Sequence, residues 1–259
     1  MTLADTHVHL NFPEFREDME TVIARAFAGG VATMINVGTD AQTSQESVNL
    51  AERYATIYAT VGIHPHFADA FESQLDQIRS LARHSKVVAI GEVGLDYFRN
   101  LSAHSRQIAA FKSQLDLAIA VGKPVVLHCR DAYTEALSIL EEDYLPRLNG
   151  RVPGVIHPFA AGLPYLQQFL KLGFYIGINN LVTYPKSVAL RDAIIALPLE
   201  RLVIETDCPY LPPQSLRGGR CEPAHVIAVA RELAQLKGVP VEQIEEISTQ
   251  NARTVFNLN

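Results

Sequence analysis

The sequence has little cysteine and no long apolar run, and both absences limit the class of protein. Its three cysteines, Cys129, Cys208 and Cys221, are an odd number without Cys-x-x-Cys spacing. We therefore do not expect a disulfide framework, and we expect a reducing, cytoplasmic setting. No stretch approaches the ~20 consecutive apolar residues of a membrane span. The first ten residues, MTLADTHVHL, lack the basic and apolar regions of a secretory signal. We expect a cytoplasmic protein that does not associate with membranes.

Positive charge is also scarce. The chain has 22 Lys and Arg against 28 Asp and Glu, a formal net charge of −6. This balance argues against a protein that coats polyanions, but it allows a nucleic-acid enzyme whose positive charge is local or comes from metal ions. No linker rich in Pro, Gly or Ser divides the 259 residues. We therefore interpret residues 1–259 as a single domain.

What the sequence does have is one repeated unit. A short apolar, β-branched run is followed by a turn and then by a segment of helical periodicity. Runs that are apolar throughout are typical of strands buried on both faces of a parallel sheet. Eight such runs predict the strands 3–10, 32–39, 57–65, 87–96, 124–129, 154–159, 174–179 and 201–209.

Eight strand–helix units predict an α/β fold, the (β/α)8 TIM barrel, which is usually about 250 residues long. The helices end as expected, at Gly29 and Gly30 in the first unit and at Gly122 in the fourth. A doubly wound open sheet is the alternative, but no Gly-x-Gly-x-x-Gly follows a strand. Residues 239–259 predict one extra C-terminal helix beyond the eighth unit.

Ionisable residues lie near the C-terminal ends of the predicted strands. In a barrel these ends converge on the rim where active sites are found. Scattered core histidines would not all choose the same end of their strands. Neutral imidazoles together with carboxylates suit Zn²⁺, Mn²⁺ or similar ions, whereas an all-oxygen site would suggest Mg²⁺ or Ca²⁺. The residues are His7, His9, His64, His66, Glu92, Asp96, His128, Arg130, His157, Glu205 and Asp207.

Strand order predicts how two divalent ions, ~4 Å apart, would use this set. His7 and His9 share one face of the first strand, because side chains alternate along a strand. They suit one ion, and Asp207 on the last strand completes its ligands across the barrel closure. A His-x-His pair alone is a weak motif, since two hydrogen-bonded core histidines give the same pattern.

The second ion suits His128 and His157, which lie on the adjacent fifth and sixth strands. Glu92, on the fourth strand, lies between the two sets and is predicted to bridge the ions. We expect Asp207 and Glu92 to be the catalytic carboxylates, with Asp207 as the general base.

Six motifs, taken in order, give the chain a resemblance to a known family. They are DTHVHLN (5–11), GIHPH (62–66), GEVGLDY (91–97), PVVLHCRDA (124–132), ERLVIETDCPYL (200–211) and RGGRCEP (217–223). The sequence resembles the TatD family of metal-dependent hydrolases among the amidohydrolase-type barrels, and within it a YjjV-like member, over nearly its whole length.

This resemblance implies a divalent-metal hydrolase, and family members include deoxyribonucleases that often act in the 3′ to 5′ direction. It implies the metal ligands His7, His9, Glu92, His128, His157 and Asp207. We expect two ions (Zn, Mn or Mg), a DNA or small phosphodiester substrate attacked by metal-activated water, and a monomer.

Four further residues are predicted to bind substrate. His64 and His66 would orient a substrate phosphate at the rim, with a packing role as the alternative. Arg130 and Arg217 follow strand ends and could bind phosphate bidentately, although each alone could equally be a solvated surface charge.

Two other functions stay open from the sequence. One is a small-molecule hydrolase of the amidohydrolase or lactonase type, which lacks support because no lysine at the end of strand 4 could bridge the metals. The other is a metal-binding protein with little catalysis, and the presence of all six ligand residues argues against it.

Overall fold

Eight parallel strands form one sheet in the order of the sequence. The computed structural model describes residues 3–258, and each strand from β1 to β8 pairs with the next one along the chain. The strands are β1 (Leu3–Val8), β2 (Val31–Val37), β3 (Ile57–Val61), β4 (Val87–Asp96), β5 (Val125–Arg130), β6 (Gly154–His157), β7 (Tyr175–Ile178) and β8 (Leu202–Ile204). This order confirms the barrel and excludes the doubly wound sheet, in which the strand order reverses.

Helices alternate with the strands, as the sequence predicts. They are α1 (Met19–Ala28), α2 (Ala41–Arg53), α3 (Phe71–Leu81), α4 (His104–Val121), α5 (Tyr133–Ile139), α6 (Leu163–Lys171), α7 (Val188–Ala196), α8 (Val226–Lys237) and α9 (Val241–Phe256). Helix α4 ends at the predicted Gly122, whose φ of 71° satisfies the left-handed cap. Within residues 3–258, no helix combines the length and apolar character that a bilayer crossing requires.

The extra C-terminal helix closes one end of the barrel. In α9, Ala252, Val255 and Phe256 pack in one buried cluster with side chains from seven of the strands. These side chains come from the first half or middle of their strands, for example Ala4 of β1 and Val155 of β6. Helix α9 therefore covers the N-terminal end and leaves the opposite rim free. Asn259, the last residue of the predicted helical segment, lies outside the described residues.

Strand β4 is irregular where it carries its carboxylate. The pairing of β4 with β5 shifts register between Ile90 and Val93, and Glu92 lies inside this shift. Two residues later, Gly94 has a φ of 139°, and a Cβ atom there would lie 2.0 Å from the carbonyl oxygen of His128. Only glycine allows β5 to approach this closely. The close approach brings His128 beside Glu92.

The barrel closes through a few backbone bonds and a buried carboxyl group rather than through a full ladder. One isolated bridge, Val8 with Cys208, joins β1 to the segment that follows β8. Asp5, which is fully buried, contacts the segment after β8: the amide of Thr206 donates to Oδ1 (3.0 Å) and the Thr206 hydroxyl bonds to Oδ2 (2.7 Å). The amide of His7 also donates to Asp5 Oδ1, at 3.3 Å. Asp5 thus holds the start of the chain to residues more than 200 positions away.

We expect the Thr206→Val substitution to lower the free energy of unfolding by about 1–3 kcal/mol, because it leaves a buried carboxyl oxygen without its partner while conserving shape. Urea denaturation followed by circular dichroism measures the change. Thr254→Val is the matched control: its exposed hydroxyl donates to the carbonyl of Gln250 on α9, and the effect of this substitution should stay within about 0.5 kcal/mol. Equal effects of the two substitutions would refute the closure role of Thr206.

Candidate metal centre

The histidine pair of β1 and the aspartate after β8 form the first group of donor atoms. His7 Nε2 and His9 Nε2 lie 3.1 Å apart. Asp207 Oδ1 lies 3.5 Å from His9 Nε2 and 4.0 Å from His7 Nε2. The Asp207 amide donates to the carbonyl of His7 at 2.9 Å, and its φ of 61° turns the chain out of the ladder. Asp tolerates this left-handed conformation better than most residues do.

Glu92 stands at the middle of the histidines. Its Oε2 lies 3.4 Å from His7 Nε2. Its Oε1 faces another set: His128 Nδ1 at 2.7 Å, His64 Nε2 at 3.5 Å and His157 Nε2 at 3.8 Å. The two oxygens of one carboxylate therefore point at two different groups of imidazole nitrogens.

His157 contacts the first group of donor atoms, that of His7, His9 and Asp207. Its ring stacks on that of His7, with centroids 3.2 Å apart, and its Nε2 is 3.7 Å from Asp207 Oδ1. Its Nδ1 lies 2.8 Å from Glu205 Oε1. A Cβ atom on Gly177 would fall 2.5 Å from Glu205 Oε2, so this glycine makes room for the glutamate.

Hydrogen bonds from outside the cluster orient two of the imidazoles. His9 Nδ1 lies 3.2 Å from the carbonyl oxygen of Val37, which makes Nδ1 the protonated nitrogen and leaves the Nε2 lone pair facing the site. Asp96 Oδ2 lies 3.0 Å from both His128 Nε2 and His66 Nε2. Because Asp96 holds Nε2 of His128, the other ring nitrogen, Nδ1, faces Glu92. Asp96 thus acts as the carboxylate that supports a histidine, a role that metal-ligating histidines commonly need.

Burial sets the charge of most of these histidines. It lowers the pKa of His7, His64 and His157 to about 4, so these rings are neutral near pH 7 and can donate a lone pair. For His128, burial also acts to lower the pKa, but the hydrogen bonds to Asp96 and Glu92 outweigh it and raise the value to about 9.

The carboxylates respond to the same environment in opposite ways. Burial acts to raise the pKa of Glu92 and of Asp207, but neighbouring histidines outweigh it, and both values lie below their usual range. Burial raises the pKa of Glu205 well above its usual range, and the opposing effects of His7 and Thr6 are too weak to compensate. Glu92 and Asp207 are therefore the ionised members of the cluster near pH 7.

The donor atoms fit a divalent ion. Three groups each offer ligand atoms within 4.8 Å of one another. Their mixture of imidazole nitrogen and carboxylate oxygen is the chemistry that Zn²⁺ and Mn²⁺ accept. The groups are His7, His9 and Asp207; His7, His157 and Glu205; and His64, Glu92 and His128.

The structure brings all six predicted metal ligands together, with one difference in grouping. His128 shares a group with His64 and Glu92, and His157 shares one with His7 and Glu205. The sequence reasoning placed Glu205 at the rim but gave it no role. Glu205 comes two residues before Asp207 in the segment Glu-Thr-Asp, and this spacing could have indicated a second carboxylate near the site.

The four predicted substrate residues separate into two pairs. His64 is buried and offers a donor atom to the cluster, while His66 contacts Asp96 at its edge. Arg130 and Arg217 are exposed. The Arg130 guanidinium lies 3.8 Å from the ring centroid of Phe98, and that of Arg217 lies 5.6 Å from the ring centroid of Tyr184.

Comparison with known proteins agrees with this geometry. The family model of TatD related DNase matches residues 4–257. The chain is 38% identical over 258 residues to the uncharacterized metal-dependent hydrolase YabD of Bacillus subtilis, covering 99% of this chain and all of the relative. It is also 38% identical to the 3′-5′ ssDNA/RNA exonuclease TatD of Enterobacter lignolyticus, covering 98% of each.

A solved structure shares the whole architecture. The crystal structure of YjjV, a TatD homolog from Escherichia coli K12, superposes with a TM-score of 0.93 at 34% identity, covering 99% of this chain and 98% of that one. The barrel and its rim of histidines and carboxylates, together with these matches, define a metal-dependent hydrolase. The chain belongs to the TatD related DNase family.

Removing a donor side chain should remove metal without unfolding the barrel, because the rim contributes little of the buried core. We expect His7→Ala and His128→Ala to lower the Zn²⁺ or Mn²⁺ content, measured by elemental analysis after saturation and desalting, with an unchanged far-UV spectrum. His84→Ala is the control, since His84 pairs with Glu52 outside the cluster. Wild-type metal content in both rim variants would show that the ions bind elsewhere.

Proposed function

We propose that the protein is a two-metal phosphodiesterase that removes nucleotides from the 3′ end of single-stranded DNA or RNA. The observation that carries this proposal is the two-sided contact of Glu92, whose Oε1 and Oε2 approach different sets of imidazole nitrogens. A carboxylate placed in this way can be shared by two ions, as in other hydrolases with paired metals. The sequence identity to a 3′-5′ ssDNA/RNA exonuclease supports the substrate class.

We assign one ion to His7, His9 and Asp207. This assignment is supported by the 3.1 Å approach of the two Nε2 atoms and by the position of Asp207 Oδ1 beside them. Side chains of a single chain supply every donor atom, so a monomer would suffice.

We assign the second ion to His128 and His157, with Glu92 shared. Both histidines lie within 4 Å of Glu92 Oε1. His64, at 3.5 Å from the same oxygen, is an additional donor on this side. The predominance of imidazole favours Zn²⁺ or Mn²⁺ over Mg²⁺.

Divalent ions at such a site lower the pKa of water and stabilise the negative charge that develops on the phosphoryl oxygens. The chain itself must position the substrate and accept a proton. Asp207 is the better proton acceptor, because 15% of its side chain is exposed against 5% for Glu92. Its lowered pKa keeps it ionised near pH 7. Glu92, enclosed by histidines, holds the cluster together.

The free thiols support a location in the cytoplasm. All three cysteines are free and buried, and burial raises the pKa of Cys208 well above its usual range, which keeps the thiol protonated and unreactive. We therefore place the protein in the cytoplasm, where thiols stay reduced.

Labelled oligonucleotides test the proposed activity. Purified protein is incubated with Mn²⁺, Mg²⁺ or Zn²⁺ and with single-stranded DNA, RNA or duplex DNA labelled at either end. We expect a 3′ label to be released at once as a mononucleotide and a 5′ label to report progressive shortening. His128→Ala controls for contaminating nucleases. Hydrolysis of lactones or amides, with no cleavage of any oligonucleotide, would replace this function by the small-molecule alternative.

Two conservative substitutions separate the proposed roles of the carboxylates. Asp207→Asn keeps an oxygen but accepts no proton, so we expect kcat to fall by about 10²- to 10⁴-fold, with KM little changed and much of the metal retained. Glu92→Gln should lose metal and rate together, because both ions share this side chain. Elemental analysis and steady-state kinetics on one oligonucleotide measure both effects. If Asp207→Asn kept the wild-type kcat with metal bound, the proton acceptor would be another group.

A further inference from the structure

Large aromatic side chains are exposed beside the candidate metal centre. Phe98 is 57% exposed and Tyr210 is 49% exposed. Phe98 comes two residues after Asp96 at the end of β4, and Tyr210 comes three residues after Asp207. Both therefore lie on the rim that carries the metal donors. About half of each residue is open to solvent, so both rings can contact a ligand at this rim.

Phe98 is tied to the β4–β5 side of the site. Its amide donates to Asp96 Oδ1 at 3.1 Å, and Asp96 Oδ2 contacts His128. The guanidinium of Arg130 lies over the ring, 3.8 Å from the centroid. The ring thus has a cation on one face and solvent access on the other.

A second aromatic group lies on the β1–β8 side. The ring of Phe12 stacks on His9, with centroids 4.4 Å apart and planes at 15°. The ring of Tyr210 meets Phe12 edge-on at 6.2 Å, and the Tyr210 amide donates to the carbonyl of Asp207 at 3.0 Å. In an eight-stranded barrel, β1 and β5 lie on opposite sides. The two aromatic groups therefore flank the metal donors.

We propose that Phe98 and Tyr210 each stack one unpaired base of the nucleic acid, on the two sides of the phosphate that is cleaved. This inference rests on the proposed function and identifies unpaired bases as the groups that the rim binds. Bases of a single strand present a free π-face, whereas bases within a duplex are stacked on one another, so such a rim selects single strands without reading their sequence. Arg130, stacked behind Phe98, adds positive charge where the phosphate backbone must pass.

The test compares a single-stranded oligonucleotide with one of the same length that lacks bases at its two 3′-terminal nucleotides. For the wild-type protein, each base present should raise kcat/KM by about 5- to 100-fold, the effect expected for one stacked base, so that the effects of the two bases multiply in the ratio of the two kcat/KM values. Phe98→Leu and Tyr210→Leu should each bring this ratio toward one. Phe98→Tyr and Tyr210→Phe keep a ring and should keep the ratio. Phe27→Leu is the matched control, because Phe27 is 38% exposed on α1, away from the rim.

Equilibrium binding separates this inference from the proposed function. The Kd of each fluorescently labelled oligonucleotide is measured by anisotropy, which needs no turnover. If the wild-type protein binds both with equal Kd, or if the leucine variants keep the wild-type ratio, stacking is refuted even where cleavage occurs. If neither oligonucleotide is cleaved but the bases tighten binding and the leucine variants abolish that gain, the nuclease function fails and the stacking sites stand.

Discussion

Closure of the sheet between β1 and the segment after β8 is the constraint on which the candidate metal centre depends. Asp5 and Thr206 are 201 positions apart in the chain and form a fully buried contact. The amide of Asp207 donates to the carbonyl of His7, and the amide of His9 donates to the carbonyl of Cys208. Each of these bonds aligns the backbone that carries a donor side chain. Because buried hydrogen bonds are costly to break, they fix the relative position of the first and last strands. Without this closure, His7 and His9 of β1 would not be held beside Asp207.

Burial of the cluster also sets the protonation states of its histidines and carboxylates. The donor groups named above contain five histidines and three carboxylates, and most of these side chains are buried. In such a place a charged group is stable only beside an opposite charge or a strong hydrogen bond. Burial therefore keeps the rings of His7 and His157 neutral, while the histidines around Glu92 keep it ionised. Neutral imidazole and ionised carboxylate are the forms that bind a divalent ion. The barrel supports this crowded rim with apolar side chains that are buried along every strand.

The sequence predicted the strands well where they are buried and less well where they end. Strand β4 has the predicted bounds, 87–96. The predicted strand 57–65 ends at Val61 in the structure, and a 3₁₀ helix begins at Pro65. The predicted strand 201–209 is only Leu202–Ile204, and Asp207, with a φ of 61°, turns the backbone before the predicted end is reached. An apolar run records burial, and burial continues beyond the last hydrogen bond of the ladder. For this reason the pattern gives the existence of each strand and not the residue at which it stops.

The sequence predicts the barrel, its order of strands, the extra helix and the set of residues that could meet at one rim, because apolar periodicity and strand ends are local properties that the fold repeats eight times. Which of those residues are neighbours depends on tertiary packing. The stacking of His157 on His7, its approach to Glu205 and the place of His64 beside Glu92 and His128 depend on ring orientation and on the irregular course of β4. The support of His128 by Asp96 depends on side-chain rotamers on the neighbouring strands β4 and β5, and the position of Arg130 over Phe98 depends on rotamers at the end of β5 and in the turn after β4. These distances arise from packing between segments far apart in the chain, and no local pattern of residues carries them.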